Sequence, residues 1–206
     1  MIISIPAIIH IKKNTGKNIK TIYNDLKTYL DCDKYILNRI YIYYFLLSPN
    51  KENANSSIPY IVRINSKWII ELINNYNNKE LINAFKITIG HELGHKQKHI
   101  NRLKYLFDLR FLSWVQEVYC DFYGTDLMAD GIKANLISSI IYKSKNKNCN
   151  KCDSSHPSWN NRLEYAKTGI FNEKLINQIY EDSGCNNATL LDKVIDFYKD
   201  KYIILK

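Results

Sequence analysis

Apolar side chains recur at helical spacing along most of this chain. Between Asn18 and Leu30 they fall at Ile19, Ile22 and Leu26 as well as Leu30, which is one face of a helix with about 3.6 residues per turn. The same spacing predicts helices over Ser66–Tyr76, Asn78 or Lys79 to about His99, Ser113–Met128, Lys133–Tyr142, Pro157–Lys167, Glu173–Glu181 and Thr189–Tyr202. The chain is therefore predicted to be mostly helical.

Two stretches have the β-branched and aromatic composition of strands instead. Arg39–Leu47 is the first of them and Pro59–Ile64 is the second. The polar stretch Pro49–Ser57 between them is typical of a loop, so the two strands are predicted to pair as a β-hairpin. Together with the helices they predict an α+β fold, mostly helical with a small β-hairpin or sheet.

The composition fits a folded domain and weakens one functional clue. The chain has 206 residues, of which 46% are hydrophobic, enough to bury a core. Its net charge of +9 would ordinarily suggest nucleic acid or an anionic membrane. However, 24 Lys stand against 5 Arg, the residue that reads bases and phosphates best. The 31 Ile and 24 Asn indicate an AT-rich coding sequence, which also favours Lys, so no nucleic-acid partner is expected.

Neither a membrane segment nor a disulfide framework is indicated. The longest apolar run, Ile40–Leu47, has eight residues, whereas a membrane-spanning helix needs about 20. Five loosely spaced cysteines favour reduced thiols and a soluble protein of the cytoplasm. Cys149 and Cys152 can form half of a zinc site, but no second pair matches them, so an incidental pair is the favoured interpretation.

The most informative residues are His91-Glu92-Leu93-Gly94-His95. Positions i and i+4 share one face of a helix, so His91 and His95 can bind one zinc ion. Glu92 then lies at the rim, where a carboxylate can take a proton from water and pass it to the leaving amine. This is the H-E-x-x-H signature of zinc peptidases. Chance occurrence is the rival interpretation, but the motif lies in an apolar predicted helix, and Gly94 allows another backbone to approach.

A third ligand is expected on a neighbouring helix. Glu117 and Asp121 are again at i and i+4, on a helix that is otherwise apolar on that side. Buried carboxylates need partners. Glu117 is therefore predicted to bind the metal, and Asp121 to accept the far N–H of a ligating His and fix its orientation. A solvated acidic face is the alternative.

At this point the sequence resembles a family. H-E-L-G-H followed by E-x-x-x-D on a second helix is similar to the gluzincin arrangement, and the later stretch Ser154–Leu163 contains a His-Pro with an Arg six residues after the His. The three motifs in this order resemble the CAAX prenyl protease type I and HtpX group of zinc metallopeptidases, over roughly residues 18–168.

The resemblance implies a zincin-like metallopeptidase domain over residues 1–168, with a helical extension at 169–206 packed on it. It implies that His91, His95 and Glu117 bind a catalytic zinc ion, that Glu92 is the general base and that Asp121 supports the ligands. His156 and Arg162 map onto the late motif. His156 would stabilise the oxyanion, with a helix-start residue as the alternative, and Arg162 would pair with Asp121 or another buried carboxylate.

The chain departs from that group in two respects. The membrane helices of its best-known members are absent, and the gap from His95 to Glu117 is short. The prediction is therefore a zinc metalloendopeptidase acting on a peptide or protein substrate. Metallopeptidases of phages and mobile elements that cleave repressors are the second possibility, a non-proteolytic zinc-containing binding module is the third, and the oligomeric state stays open.

Three other residues are expected to have ordinary roles. His99 is predicted to lie at the end of the H-E-x-x-H helix, near its negative pole. His10 is predicted to be structural. Cys120 is predicted to point away from the carboxylate pair into the core.

Overall fold

The structure, a computed structural model, describes residues 1–31, 34–44, 54–58, 61–101, 105–145 and 147–206. These residues form an α+β fold that is mostly helical, as the apolar spacing predicts. The helices are α1 Ile5–Thr15, α2 Ile19–Leu30, α3 Lys34–Leu37, α4 Ser66–Asn74, α5 Lys79–Gly94, α6 Leu109–Met128, α7 Lys133–Ser144, α8 Trp159–Thr168, α9 Glu173–Ser183 and α10 Ala188–Tyr198. The strands are β1 Ile2–Ile3, β2 Ile40–Tyr43, β3 Ala54–Ile58, β4 Ile61–Asn65, β5 Ile170–Phe171 and β6 Ile203–Ile204.

The main sheet has the order β1-β2-β4-β3, and it corrects the predicted hairpin. The two predicted strands appear as β2 and β4, but they pair in parallel, with Ile40 opposite Val62. The hairpin partner of β4 is β3, which pairs antiparallel to it. Its sequence Ala-Asn-Ser-Ser-Ile is typical of a loop, because a polar edge strand lacks the apolar signal of a buried one. The ends of the two predicted strands, 45–47 and 59–60, lie outside the described residues.

Helix α5 lies between two cores. On one side its apolar residues pack with α1, α2, α4 and the sheet, and these include Phe85 and Leu93. On the other side Ile87 joins a core built from α6 to α10. Residues 169–206, predicted as a helical extension, form β5, α9, α10 and β6, and their apolar side chains share this second core with α6.

Glycines let α5 and α6 approach each other closely. A Cβ added at Gly124 of α6 would lie 2.5 Å from the backbone nitrogen of His91, and one added at Gly90 would lie 2.6 Å from the Cα of Gly124. A Cβ at Gly94 would lie 3.0 Å from the sulfur of Cys120. The predicted approach at Gly94 is confirmed, and this contact brings the H-E-x-x-H residues against the Glu117 face of α6.

Three helix boundaries near the motifs differ from the prediction. Helix α6 begins at Leu109 rather than Ser113. Helix α5 ends at Gly94, although His95 keeps right-handed helical backbone angles (φ −61°, ψ −15°). His99 is therefore not in the helix, yet its Nε2 lies 2.9 Å from the carbonyl oxygen of Gly94, at the negative pole where it was expected. Helix α8 begins at Trp159 rather than Pro157, because the Ser158 hydroxyl accepts a hydrogen bond from the third residue beyond it and caps the helix.

Helix α1 was not predicted. Its signals are local: the Ser4 side chain accepts the N–H of Ala7, Pro6 lies in the first turn, and Gly16 ends the helix with φ 70°. No helix among the residues that the structure describes combines the length and the apolar composition needed to cross a bilayer.

Candidate metal centre

Helices α5 and α6 bring three potential metal ligands together. The Nε2 atoms of His91 and His95 are 3.1 Å apart. Oε2 of Glu117 lies 3.4 Å from Nε2 of His91, and Oε1 of Glu117 lies 3.3 Å from Nε2 of His95. Within the described part of the chain, this is the one group of at least three His, Cys, Asp or Glu side chains placed to hold a metal ion.

The donor spacing fits a small divalent cation. Tetrahedral ligands at roughly 2.0–2.1 Å from one ion lie about 3.3 Å from each other. The separations of 3.1, 3.3 and 3.4 Å, which involve both oxygens of Glu117, are close to that value. Two imidazoles and one carboxylate can therefore hold a metal ion and leave a further coordination position free.

The far nitrogen of His91 is held by Asp121. Nδ1 of His91 lies 2.9 Å from Oδ1 of Asp121, and both side chains are buried. An ionised carboxylate only accepts hydrogen bonds, so Nδ1 carries the proton. In the neutral imidazole, the lone pair of Nε2 is then directed toward the Glu117 side, as a metal ligand requires.

The far nitrogen of His95 has uncharged neighbours rather than a carboxylate. Nδ1 of His95 lies 3.3 Å from the side-chain nitrogen of Gln116 and 3.6 Å from the sulfur of Cys120. Cys120 is fully buried, as expected, but its contact with His95 was not predicted. It faces the ligand because α6 packs with Cys120 directly against Gly94.

The charges of the site favour a cation. Burial alone would lower the pKa of His91, but hydrogen bonds to Asp121 and Glu117 raise it to about 9. Burial alone would raise the pKa of Glu117, whereas hydrogen bonds from His91 and His95 hold it well below its ordinary value. Asp121 and Glu117 thus favour the protonated, positively charged form of His91. A bound metal ion would supply that positive charge instead.

Arg162 forms a buried, bidentate ion pair with Asp121. Its Nε donates to Oδ2 at 2.9 Å and its Nη2 donates to Oδ1 at 2.6 Å. Burial would raise the pKa of Asp121, but the guanidinium and His91 hold that pKa well below its usual range. The pairing proposed from the sequence is thus present, and it links α8 through Asp121 to His91.

His156 lies at the rim of the cluster. Its Nε2 is 3.9 Å from Oε2 of Glu117, and its side chain is 53% exposed. Asp153 holds the loop in place, because its carboxylate accepts the N–H groups of Ser155 and His156, both at 2.7 Å, while its carbonyl oxygen accepts the indole N–H of Trp114. His156 lies two residues before Ser158, the residue that caps α8.

The cluster opens into a cleft of about 550 Å³. Glu92 is half-buried and lines this cleft together with His91, Glu117 and His156. Ala54 of the edge strand β3 lines it from the sheet side. The cleft thus joins the potential ligands, the Glu of the motif and an edge of the sheet.

Several residues near the centre were missed by the sequence reasoning. Gly90 and Gly124 set the contact between α5 and α6, and the Gly-x-x-x-Gly spacing of Gly90 and Gly94 was an available signal. Trp159 and Lys143 line the cleft, but they come from segments that only the tertiary fold brings near the motif.

No protein-family model matches the chain, and no curated protein or solved structure is similar enough to it to indicate a family.

Proposed function

We propose that this protein is a zinc metalloendopeptidase of the gluzincin type, with a zincin-like fold. The observation that carries the proposal is the convergence of His91, His95 and Glu117 at mutual distances of 3.1 to 3.4 Å, with Glu92 lining the adjoining cleft. Two His and one carboxylate are a common ligand set of catalytic zinc. A purely structural site would not need Glu92.

The residues divide the chemistry among them. A zinc ion held by His91, His95 and Glu117 would supply Lewis acidity, which would polarise a peptide carbonyl and make water more acidic. Glu92 takes the proton of the attacking water and passes it to the leaving amine. His156, exposed at the rim, donates an N–H to the carbonyl oxygen as negative charge develops there.

Arg162 and Asp121 act through His91 rather than on the substrate. Their buried ion pair fixes the Asp121 carboxylate, which in turn fixes the His91 ring. This chain of contacts gives the Arg of the late motif a physical role. It supports the proposed relationship to the CAAX prenyl protease type I and HtpX group.

The substrate is proposed to be an extended peptide segment. Strand β3 is at the edge of the main sheet, and Ala54 at its start lines the cleft. A peptide can add to such an edge through main-chain hydrogen bonds, which would carry it past the ligand cluster.

Metal analysis and proteolysis test the proposal together. The purified chain should bind about one zinc ion, and His91→Ala should lose it, whereas His10→Ala, which removes a histidine bonded to Ser66 and not part of the cluster, should not. Glu92→Gln should keep zinc but lose peptide cleavage by roughly a hundredfold or more, with Glu164→Gln as the matched control. A chain that binds no zinc, or a Glu92→Gln variant that cleaves like the wild type, would contradict the proposal.

A further inference from the structure

One wall of the cleft carries two lysines whose charges are not accounted for by the site. Lys143 at the end of α7 and Lys147 in the following segment both line the cleft. Their Nζ atoms lie 5.9 and 4.6 Å from the centre of the Trp159 ring. The indole therefore contacts both ammonium groups through cation–π interactions.

The neighbouring cations have anionic partners. Arg162 is paired with Asp121, and the Nζ of Lys145 lies 3.4 Å from a carboxylate oxygen of Glu80. Among the residues that the structure describes, Lys143 and Lys147 have no ion-pair partner. Two cations on this wall are therefore left to attract an anion from outside.

Partial burial makes the charge of Lys143 costly, whereas Lys147 lies exposed. Desolvation lowers the pKa of Lys143 to about 8, although Asp121 opposes the shift, and desolvation also lowers the pKa of Lys147. A buried ammonium group without a counter-ion is destabilising. An anion bound at this wall would remove that cost.

The charge balance of the cleft also favours binding of an anion. The carboxylates in the lining are Glu71, Glu92 and Glu117. One divalent cation would offset Glu92 and Glu117, and Glu71, which accepts a hydrogen bond from the hydroxyl of Tyr142, adds one negative charge against the two lysines. With that cation present, Lys143 and Lys147 leave the cleft with a local positive excess.

We propose that Lys143 and Lys147, held on Trp159, form a subsite for a carboxylate of the peptide substrate. The carboxylate is either an acidic side chain near the scissile bond or the C-terminal carboxylate of a short peptide. This inference rests on the proposed peptidase function and names its substrate class: peptides that carry a negative charge close to the cleavage site.

A nucleic acid fits this wall less well. Binding along a phosphate backbone needs an extended series of cations, and the sequence run from Lys143 to Lys151 suggests one. In the structure, the ammonium group of Lys145 is paired with Glu80. Lys143 and Lys147 line the concave cleft together with Glu92. Two ammonium groups in a cleft suit a single small anion.

Peptide binding tests the subsite without depending on turnover. Zinc-loaded full-length protein carrying Glu92→Gln is titrated into rhodamine-labelled decapeptides, and binding is measured by fluorescence anisotropy. A neutral amidated peptide is compared with matched peptides that have one central Glu, one central Lys, or a free C-terminal carboxylate. A single-stranded decanucleotide serves as a competitor. Cleavage of the neutral peptide by the wild type is measured separately.

The subsite predicts that one of the two anionic peptides binds about tenfold more tightly than the neutral one, because a hydrogen bond to a charged group contributes roughly that much. The peptide that binds more tightly shows whether the subsite takes an acidic side chain or the C-terminal carboxylate. Lys147→Gln should reduce the preference for the anionic peptide at least about threefold, and so should Lys143→Gln. Lys145→Gln, the matched control, should retain that preference. Because Lys147 is exposed, its variant is informative even if Lys143→Gln fails to fold.

Failure of the subsite and failure of the peptidase would look different. Equal binding of all peptides, together with cleavage of the neutral one, would overturn the subsite and leave the peptidase intact. Displacement of the acidic peptide by the oligonucleotide at lower concentration than by unlabelled peptide would also overturn it, in favour of nucleic acid. An acidic preference that depends on Lys147, without cleavage of any peptide, would support the subsite and count against the peptidase.

Discussion

Replacing Arg162 by methionine tests whether α8 supports the candidate metal centre. Methionine has a similar length and no charge, so it keeps part of the packing on Trp159, over which the guanidinium lies at 4.7 Å. It removes both hydrogen bonds to Asp121. The carboxylate of Asp121 is then left buried, with His91 as its remaining side-chain partner.

The expected loss is large because the pair is buried. The Arg162 and Asp121 side chains are 8% and 3% exposed, and removing one partner of a buried ion pair costs about 3–5 kcal/mol. Lys167→Met on the same helix is the matched control. Its ion pair with Glu164 is exposed at the surface, so its removal should cost less than about 1 kcal/mol.

Urea unfolding of the metal-free protein measures both variants without a contribution from bound zinc. Arg162→Met should lower the free energy of unfolding at pH 7 by about 3–5 kcal/mol, and adding Asp121→Asn should cost less than the sum of the two single changes. An Arg162→Met loss that equals the Lys167→Met loss would refute the idea that this pair holds the site together.

The pH dependence of the Arg162→Met loss has a definite sign. Arg162 and His91 hold the pKa of Asp121 below its unfolded value, so their contribution is fully present above an unfolded pKa of about 3.9 and is lost as the pH falls further. The difference between wild type and Arg162→Met should therefore be largest near neutral pH and shrink below about pH 4. A difference that grows in acid would contradict the assigned direction.

Two further perturbations probe the helix contact and the thiols. Gly124→Ala should destabilise the protein by about 1–3 kcal/mol in urea unfolding, because the new Cβ would lie 2.5 Å from the backbone nitrogen of His91. This loss is expected although alanine favours helices. An unchanged or raised stability would contradict the close contact. Burial raises the pKa of the Cys120 thiol well above its ordinary value, so iodoacetamide at pH 8 should modify Cys149 and Cys152 and spare Cys120, as read by peptide mass spectrometry; alkylation of Cys120 in the folded protein would show that it is accessible.

Local signals in the sequence account for the parts of the fold that were predicted correctly. Helix α2 follows from apolar residues at helical spacing after the capping Asn18, and the same reasoning places α5 and α6. These elements need only neighbours within one or two turns of the chain. The i and i+4 spacing of His91 and His95 is likewise local, so the pair of imidazoles was predictable.

Long-range pairing explains the errors. Strands β2 and β4 pair in parallel because β3 takes the antiparallel place beside β4, and nothing in the polar sequence of β3 distinguishes it from a loop. The contact between Cys120 and His95 depends on the rotation of α6 about its axis. That rotation is set by the packing of Gly124 and Gly94, which the periodicity of α6 alone does not reveal.

The same close contact between α5 and α6 explains why stability and function are linked in this chain. Glycines at the crossing let Glu117 approach both imidazoles, and the cost of burying that carboxylate is offset by His91 and His95. Asp121 is buried one turn further along α6 and needs both His91 and Arg162. Each buried charge is therefore stabilised by a group from another helix, so a substitution at the crossing should disturb the ligand geometry as well as the fold. Zinc affinity and unfolding free energy should consequently fall together in Gly124→Ala, and also in His91→Ala, which removes a potential ligand and the shared partner of both buried carboxylates.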